Sequence, residues 1–138
     1  MPLTLARIDH IVLRVIQLEP MIQFYCKVLG CRIERRRDDL GLVQLRAGAS
    51  MLDLVPVDGE LGRQGGAPPG AEGRNVDHIC FRVESFDAAA IGAHLAAAGV
   101  QAGKVESRYG AEGNGPSIYI QDPEGNTIEL KGPPSPLQ

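Results

Sequence analysis

The sequence predicts an α+β protein: two tandem βαβββ modules whose strands form a curled mixed sheet, with the helices outside. Three observations predict it. Residues 8 to 15 read IDHIVLRV and residues 76 to 83 read VDHICFRV, the same pattern written again 68 positions later. A helical pattern that closes on a glycine follows each copy. A strand, a tight turn and a second strand then end each half.

The elements follow in order. After IDHIVLRV comes QLEPMIQFYCKVLGCRI, where Pro20 suits a first helical turn and Ile22, Tyr25, Val28 and Leu29 fall at helical spacing. Gly30 closes that helix. After VDHICFRV comes SFDAAAIGAHLAAAGVQ, capped by Ser85 or Asp87, carried by alanines and closed by Gly99. LVQLRAGASMLDL (42 to 54) lies over IYIQDPEGNTIEL (118 to 130) at a constant offset of 76, and DPEGN supplies the turn of the second copy. The extra residues of the second copy, SRYGAEGNGP (107 to 116), read as a Gly-rich loop without regular structure, able to serve as a lid. One domain, 1 to 138, is therefore expected, with a first module at 5 to 57, a Gly/Pro-rich linker at 58 to 75 and a second module at 76 to 132.

Composition sets the class. The chain is 43% hydrophobic and 22% charged, with a net charge of -3. No apolar run approaches the ~18 residues that a membrane helix requires. The one dense basic run, RIERRR at 32 to 37, reads as the solvent face of a strand, so neither nucleic acid nor membrane is an expected partner. Cys26, Cys31 and Cys80 form no CxxC pair and leave an odd thiol, which fits a reducing cytoplasm and small buried side chains. The N-terminus lacks the pattern of a secretory signal.

Strand alternation then sorts the residues by face. Ile11, Leu13 and Val15 face the helix, as do Ile79, Phe81 and Val83, Leu52 and Leu54, and Ile128 and Leu130. Four possible metal ligands leave the opposite face: His10 and Asp53 in the first copy, His78 and Glu129 in the second. If the modules pack edge to edge and curl, their helix-free faces enclose a cleft, and a pseudo-twofold axis brings the four together. Burying them without a cation would cost several kcal/mol for each unpaired charge. Asp53, one methylene shorter than a Glu, reaches such an ion directly or through water.

Other residues have weaker assignments. Arg14 and Arg82 lie roughly 13 Å along the strand from their histidines, where they could attract an anionic substrate or pair with acids such as Glu19 or Glu84. Tyr119, on the helix-free face of its strand, and Tyr109, in the Gly-rich segment, are the aromatics able to reach a substrate. Asp9 and Asp77 are expected on the helix side as structural residues, and His94 faces solvent.

The segments DHIVLRV, FYCKVLG and DPEGNTIEL resemble the vicinal oxygen chelate superfamily, which includes glyoxalase I, extradiol ring-cleaving dioxygenases and bleomycin-binding proteins. The resemblance spans nearly the whole chain. It implies paired βαβββ units around one divalent metal (Zn, Ni, Mn, Co or Fe) held by His10, His78 and Glu129, with Asp53 at a fourth position usually filled by Glu. It also implies a homodimer and a small-molecule substrate that chelates the metal through two adjacent oxygens. Glyoxalase-I-like lyase or isomerase chemistry, with Glu129 or Asp53 as the base, is the leading expectation. An Fe(II) extradiol-type dioxygenase is the alternative, and a non-catalytic drug-binding resistance protein is the alternative of another class.

Overall fold

A computed structural model describes residues 1–135. The chain divides into two compact units, residues 1–75 and 76–138. In the first, strand β1 (His10–Val15) leads into helix α1 (Leu18–Gln23), and strands β2 (Arg32–Arg37), β3 (Leu42–Ala47) and β4 (Ser50–Pro56) follow. The sheet order is β1-β4-β3-β2, with β1 parallel to β4 and the other pairs antiparallel. The second unit repeats this plan: β5 (Ile79–Arg82), α2 (Ala88–Ala97), β6 (Glu106–Gly110), β7 (Gly113–Gln121) and β8 (Thr127–Lys131), in the order β5-β8-β7-β6. A parallel first and last strand cannot be joined by a tight turn, so each unit crosses over through its helix. The helix covers one sheet face, and the core forms there. Leu13, Val15, Met21, Tyr25, Leu45 and Leu54 are fully buried in the first unit, as are Leu95 and Ile128 in the second.

Local chemistry accounts for the helix ends. Pro20 sits in the first turn of α1, where its missing N–H leaves no bond unmade. The helix then widens into a π-helical turn, Phe24–Val28, with Leu29 N–H donating to Phe24 O at 3.4 Å. Gly30 reverses the chain at φ 78°. In α2, Asp87 is the cap: its Oδ1 accepts from Ala90 N–H at 3.0 Å. Gly99 at φ 72° ends the helix in a Schellman motif, with Val100 N–H donating to Leu95 O and Gly99 N–H to Ala96 O.

Four expectations are corrected. The segment 107 to 116 is no loop: it supplies most of β6 and the start of β7, a hairpin in which Gly110 pairs with Gly113 around Ala111 and Glu112. Its glycines serve close approach, since a side chain at Gly115 would stand 2.7 Å from the Pro133 carbonyl. The offset between copies is not constant. Gln44 faces Asp53 and Tyr119 faces Glu129, so β3 maps onto β7 at 75 while β4 maps onto β8 at 76. The cause is the turn: the equivalent pairs Arg46–Met51 and Gln121–Thr127 enclose four residues in one copy and five, DPEGN, in the other. There Asp122 Oδ1 accepts from the N–H groups of Glu124 and Asn126, which fixes the longer turn. Cys80 is exposed and Cys26 half-buried, so only Cys31 behaves as a buried small side chain. Asp9 and Asp77 are exposed rather than packed against helices.

RIERRR forms β2, an edge strand with charged side chains along it. Arg36 pairs with Glu19 at 2.6 Å and Arg37 with Asp39 at 2.6 Å. Such exposed pairs add little to stability, because water and salt screen them. The 58 to 75 linker folds onto its own unit. Arg14 holds it, donating from its guanidinium to the carbonyls of Gly62, Gly66 and Ala67.

Two stability predictions follow from these contacts. Leu54→Ala empties a fully buried site and is expected to cost about 2–5 kcal/mol in urea unfolding and Asp87→Ala about 1 kcal/mol, whereas Arg37→Gln should leave the urea midpoint nearly unchanged. Arg14→Met is expected to free the linker, so that trypsin cuts after Arg63 several-fold faster; an unchanged cleavage rate would show that Arg14 does not hold it.

Candidate functional site

The parallel strand pair of each unit places one histidine and one carboxylate on the same face. In β1 and β4, Val12 lies opposite Asp53, and His10 stands two residues before Val12. In β5 and β8, Cys80 lies opposite Glu129, and His78 stands two residues before Cys80. Two residues along a strand return a side chain to the same face. The two arrangements match residue for residue.

Each imidazole is oriented by its sequence neighbour. His10 Nδ1 donates to Asp9 Oδ1 at 2.8 Å, and His78 Nδ1 donates to Asp77 Oδ2 at 2.6 Å. An Nδ1–H held by a carboxylate leaves Nε2 as the lone-pair nitrogen, the usual arrangement behind a metal-ligating histidine. The bond to Asp9, and next the charge of Asp53, raise His10 above its ordinary range. The sequence order Asp-His, twice, was visible; its purpose was not, because the Asp turns back along the chain before strand alternation begins.

The carboxylates are buried. Asp53 is 4% exposed and Glu129 5%. Asp53 Oδ2 accepts from Gln44 Nε2 at 3.3 Å, while its Oδ1 has no hydrogen-bond partner among the described residues. A buried oxygen left this way costs about 1–3 kcal/mol, and a hard or borderline cation would satisfy it. Glu129 Oε1 lies 3.3 Å from His78 Nε2. The residues present therefore suit a divalent metal in oxygen and imidazole donors. The structure brings these ligand candidates together in pairs; among the described residues no group of three or more His, Cys, Asp or Glu is close enough to hold an ion.

The second unit adds a wall around its pair. The Tyr119 ring meets the His78 ring edge-on at 5.6 Å, and the Arg108 guanidinium lies 4.3 Å over the Tyr119 ring. Arg108 is fixed in turn by Ser117 O and Oγ. Burial, and after it the nearby charge of Glu129, push the Tyr119 phenol up. Burial, then the charge of Glu129, push the Cys80 thiol up to about 11. Gln44 and Arg108 were not singled out from the sequence, and only the strand register could have exposed them. Tyr109 lies on β6 beside Arg108, hence on the opposite face, and is 81% exposed. Arg14 is engaged by the linker carbonyls, and Arg82 by Glu112 at 2.8 Å and by the Val83 carbonyl. His94 is exposed on α2.

Comparison with known proteins agrees with this geometry. The virulence protein STM3117 of Salmonella typhimurium is 34% identical over 128 residues, 90% of this chain and 82% of that protein. Its crystal structure superposes with a TM-score of 0.75 at 29% identity, covering 95% of this chain and 99% of that one. The integron cassette protein VCH_CASS1 from the mobile metagenome of V. cholerae gives 0.76 at 27% identity, covering 96% and 98%. Lactoylglutathione lyase from Agrobacterium tumefaciens shares the fold, with a TM-score of 0.64 at 20% identity over 92% of this chain and 93% of that one. A family profile matches residues 7–130, which span both crossover units: the chain belongs to the Glyoxalase/Bleomycin resistance protein/Dioxygenase superfamily.

Proposed function

We propose that this protein is a divalent-metal-dependent enzyme of glyoxalase-I-like lyase or isomerase chemistry, acting on a small molecule with two vicinal oxygens. The superfamily includes enzymes and proteins without catalytic activity, so the reading rests on the residues. The observation that carries it is the duplicated pair: two histidines whose Nδ1 is bound by the preceding aspartate, leaving Nε2 as the lone-pair nitrogen, each on the face of a buried carboxylate, one of which has an unsatisfied oxygen. A protein that merely enclosed an apolar drug would have no use for the charge of Asp53 and Glu129.

His10, His78 and Glu129 would hold the ion, with Asp53 left off it as the base. When bound, the ion supplies Lewis acidity toward the two substrate oxygens. The chain's own residues do the rest. Asp9 and Asp77 keep the imidazoles in the tautomer that presents Nε2. Asp53 Oδ1, with nothing else to accept from, takes a proton from the carbon beside a substrate carbonyl and returns it to the neighbouring carbon. Gln44 keeps that carboxylate aimed by binding its other oxygen. Tyr119, fixed by Arg108, shields the His78–Glu129 pair from bulk water. The same two histidines and one carboxylate would also suit Fe(II) oxygen chemistry, and metal identity separates the two. The reading includes a homodimer and a cytoplasmic setting. The setting is supported by three thiols unjoined by any disulfide. No helix among the described residues is long and apolar enough to cross a membrane.

Elemental analysis of protein purified without chelator tests the proposal. We expect close to one metal ion per chain, lost in the His10→Ala, His78→Ala double mutant and in Glu129→Ala. Nickel, zinc, cobalt or manganese supports the lyase or isomerase reading, and iron moves it to the dioxygenase. Wild-type protein that takes up no ion, even after soaking with each, refutes the enzyme. Asp53→Asn separates the roles: metal retained, with turnover down roughly 10²–10⁴-fold, the range of a lost general base.

A further inference from the structure

Lys131 ends β8 two residues after Glu129 and on the same face, yet it is 5% exposed. The duplication shows that the fold does not require a cation there. Arg14 pairs with Val55 in the first unit and Arg82 pairs with Lys131 in the second, so Val55, 6% exposed, is its counterpart. One copy fills the position with an apolar side chain; the other buries a charge, which is costly unless something opposes it. The nearest carboxylate on that face, Glu129, lies two residues back along the strand, roughly 7 Å away, and forms no ion pair with Lys131 among the described residues. The Lys131 ammonium donates to the Gly113 carbonyl at 2.9 Å, using one of three donors, and no carboxylate pairs with it. Its neighbour across the strands is a second cation, Arg82, an arrangement that is unfavourable by itself.

The surroundings are built for this lysine. A side chain at Gly110 would stand 3.1 Å from Lys131 Cε, and one at Gly115 3.1 Å from Nζ, so the β6–β7 hairpin presents bare backbone where the lysine lies. Glu112, from the turn of that hairpin, pairs with Arg82 rather than with the ammonium.

We propose that Lys131, with Arg82 beside it, binds an oxyanion, and that the substrate therefore carries a carboxylate or phosphoryl group in addition to its two vicinal oxygens. The spacing of two residues sets this group roughly 7 Å along the strand from Glu129. The substrate assignment rests on the metal-site reading, whereas the anion position itself does not, and the test keeps them apart.

The full chain, stripped of metal by chelator, is titrated with inorganic phosphate, with malonate and with neutral hydroxyacetone while its melting temperature is followed. Phosphate and malonate are expected to raise it and hydroxyacetone to leave it unchanged. In Lys131→Val, which copies the residue the first unit uses and so is expected to fold, both anions should bind at least tenfold more weakly. Lys131→Arg should restore binding to within a fewfold. The same titration of wild type with tartronate, which combines vicinal oxygens with a second carboxylate, is run with and without manganese. Tighter binding with manganese ties the anion position to the metal site. Lys131-dependent anion binding that manganese does not alter keeps the anion position and overturns its assignment to the metal-site substrate. Equal anion binding by Lys131→Val and wild type, or none by wild type, overturns the proposal outright and leaves Lys131 as a strut for the hairpin.

Discussion

The parallel pairing of each unit's first strand with its last is the constraint from which the rest follows. It forces a crossover, so a helix must cover one sheet face while the other carries no helix of its own unit. It also sets register. Once Val12 lies opposite Asp53, and Cys80 opposite Glu129, the histidine two positions earlier has only one face to occupy. A slip of a single residue would turn His10 into the core and Leu13 out of it, a loss no metal could offset. The hydrophobic residues that face the helix thus hold the polar residues that face away.

This is why so much of the site was legible in the sequence. The alternation of IDHIVLRV assigned His10 and Leu13 to opposite faces, and MLDL and TIEL assigned the carboxylates, with no knowledge of the sheet order. What was not legible depended on pairing between distant strands. A constant offset placed Gln44 over Ile120 and hid its contact with Asp53, because a turn one residue longer shifts a strand without changing its letters. The β6–β7 hairpin was invisible for a different reason. Glycine marks a loop when its role is backbone freedom, and here at Gly110 and Gly115 its role is to leave space for Lys131 and the Pro133 carbonyl. Asp9 and Asp77 precede their strands, so the alternation used to orient them did not apply.

The two copies have kept their scaffold and diverged in their polar faces. Gln44 answers to Tyr119, Val12 to Cys80 and Val55 to Lys131. The first copy keeps its carboxylate among an amide and aliphatic side chains; the second surrounds its own with an aromatic ring, a thiol and two cations. Symmetry suffices for holding an ion, whereas recognising an asymmetric small molecule requires that the halves differ.

The Asn75 side chain bears on a different problem. Its amide accepts from the Arg14 N–H at 3.1 Å and donates to the Arg14 carbonyl at 3.0 Å, as a neighbouring strand would. β1 is the outer strand of its sheet, and an outer strand invites pairing with any extended chain that meets it. By occupying the C-terminal part of that edge with one residue's amide, the chain limits self-association through β1 there without adding a strand. The last residue of the first unit therefore acts as a stopper on the strand that began it.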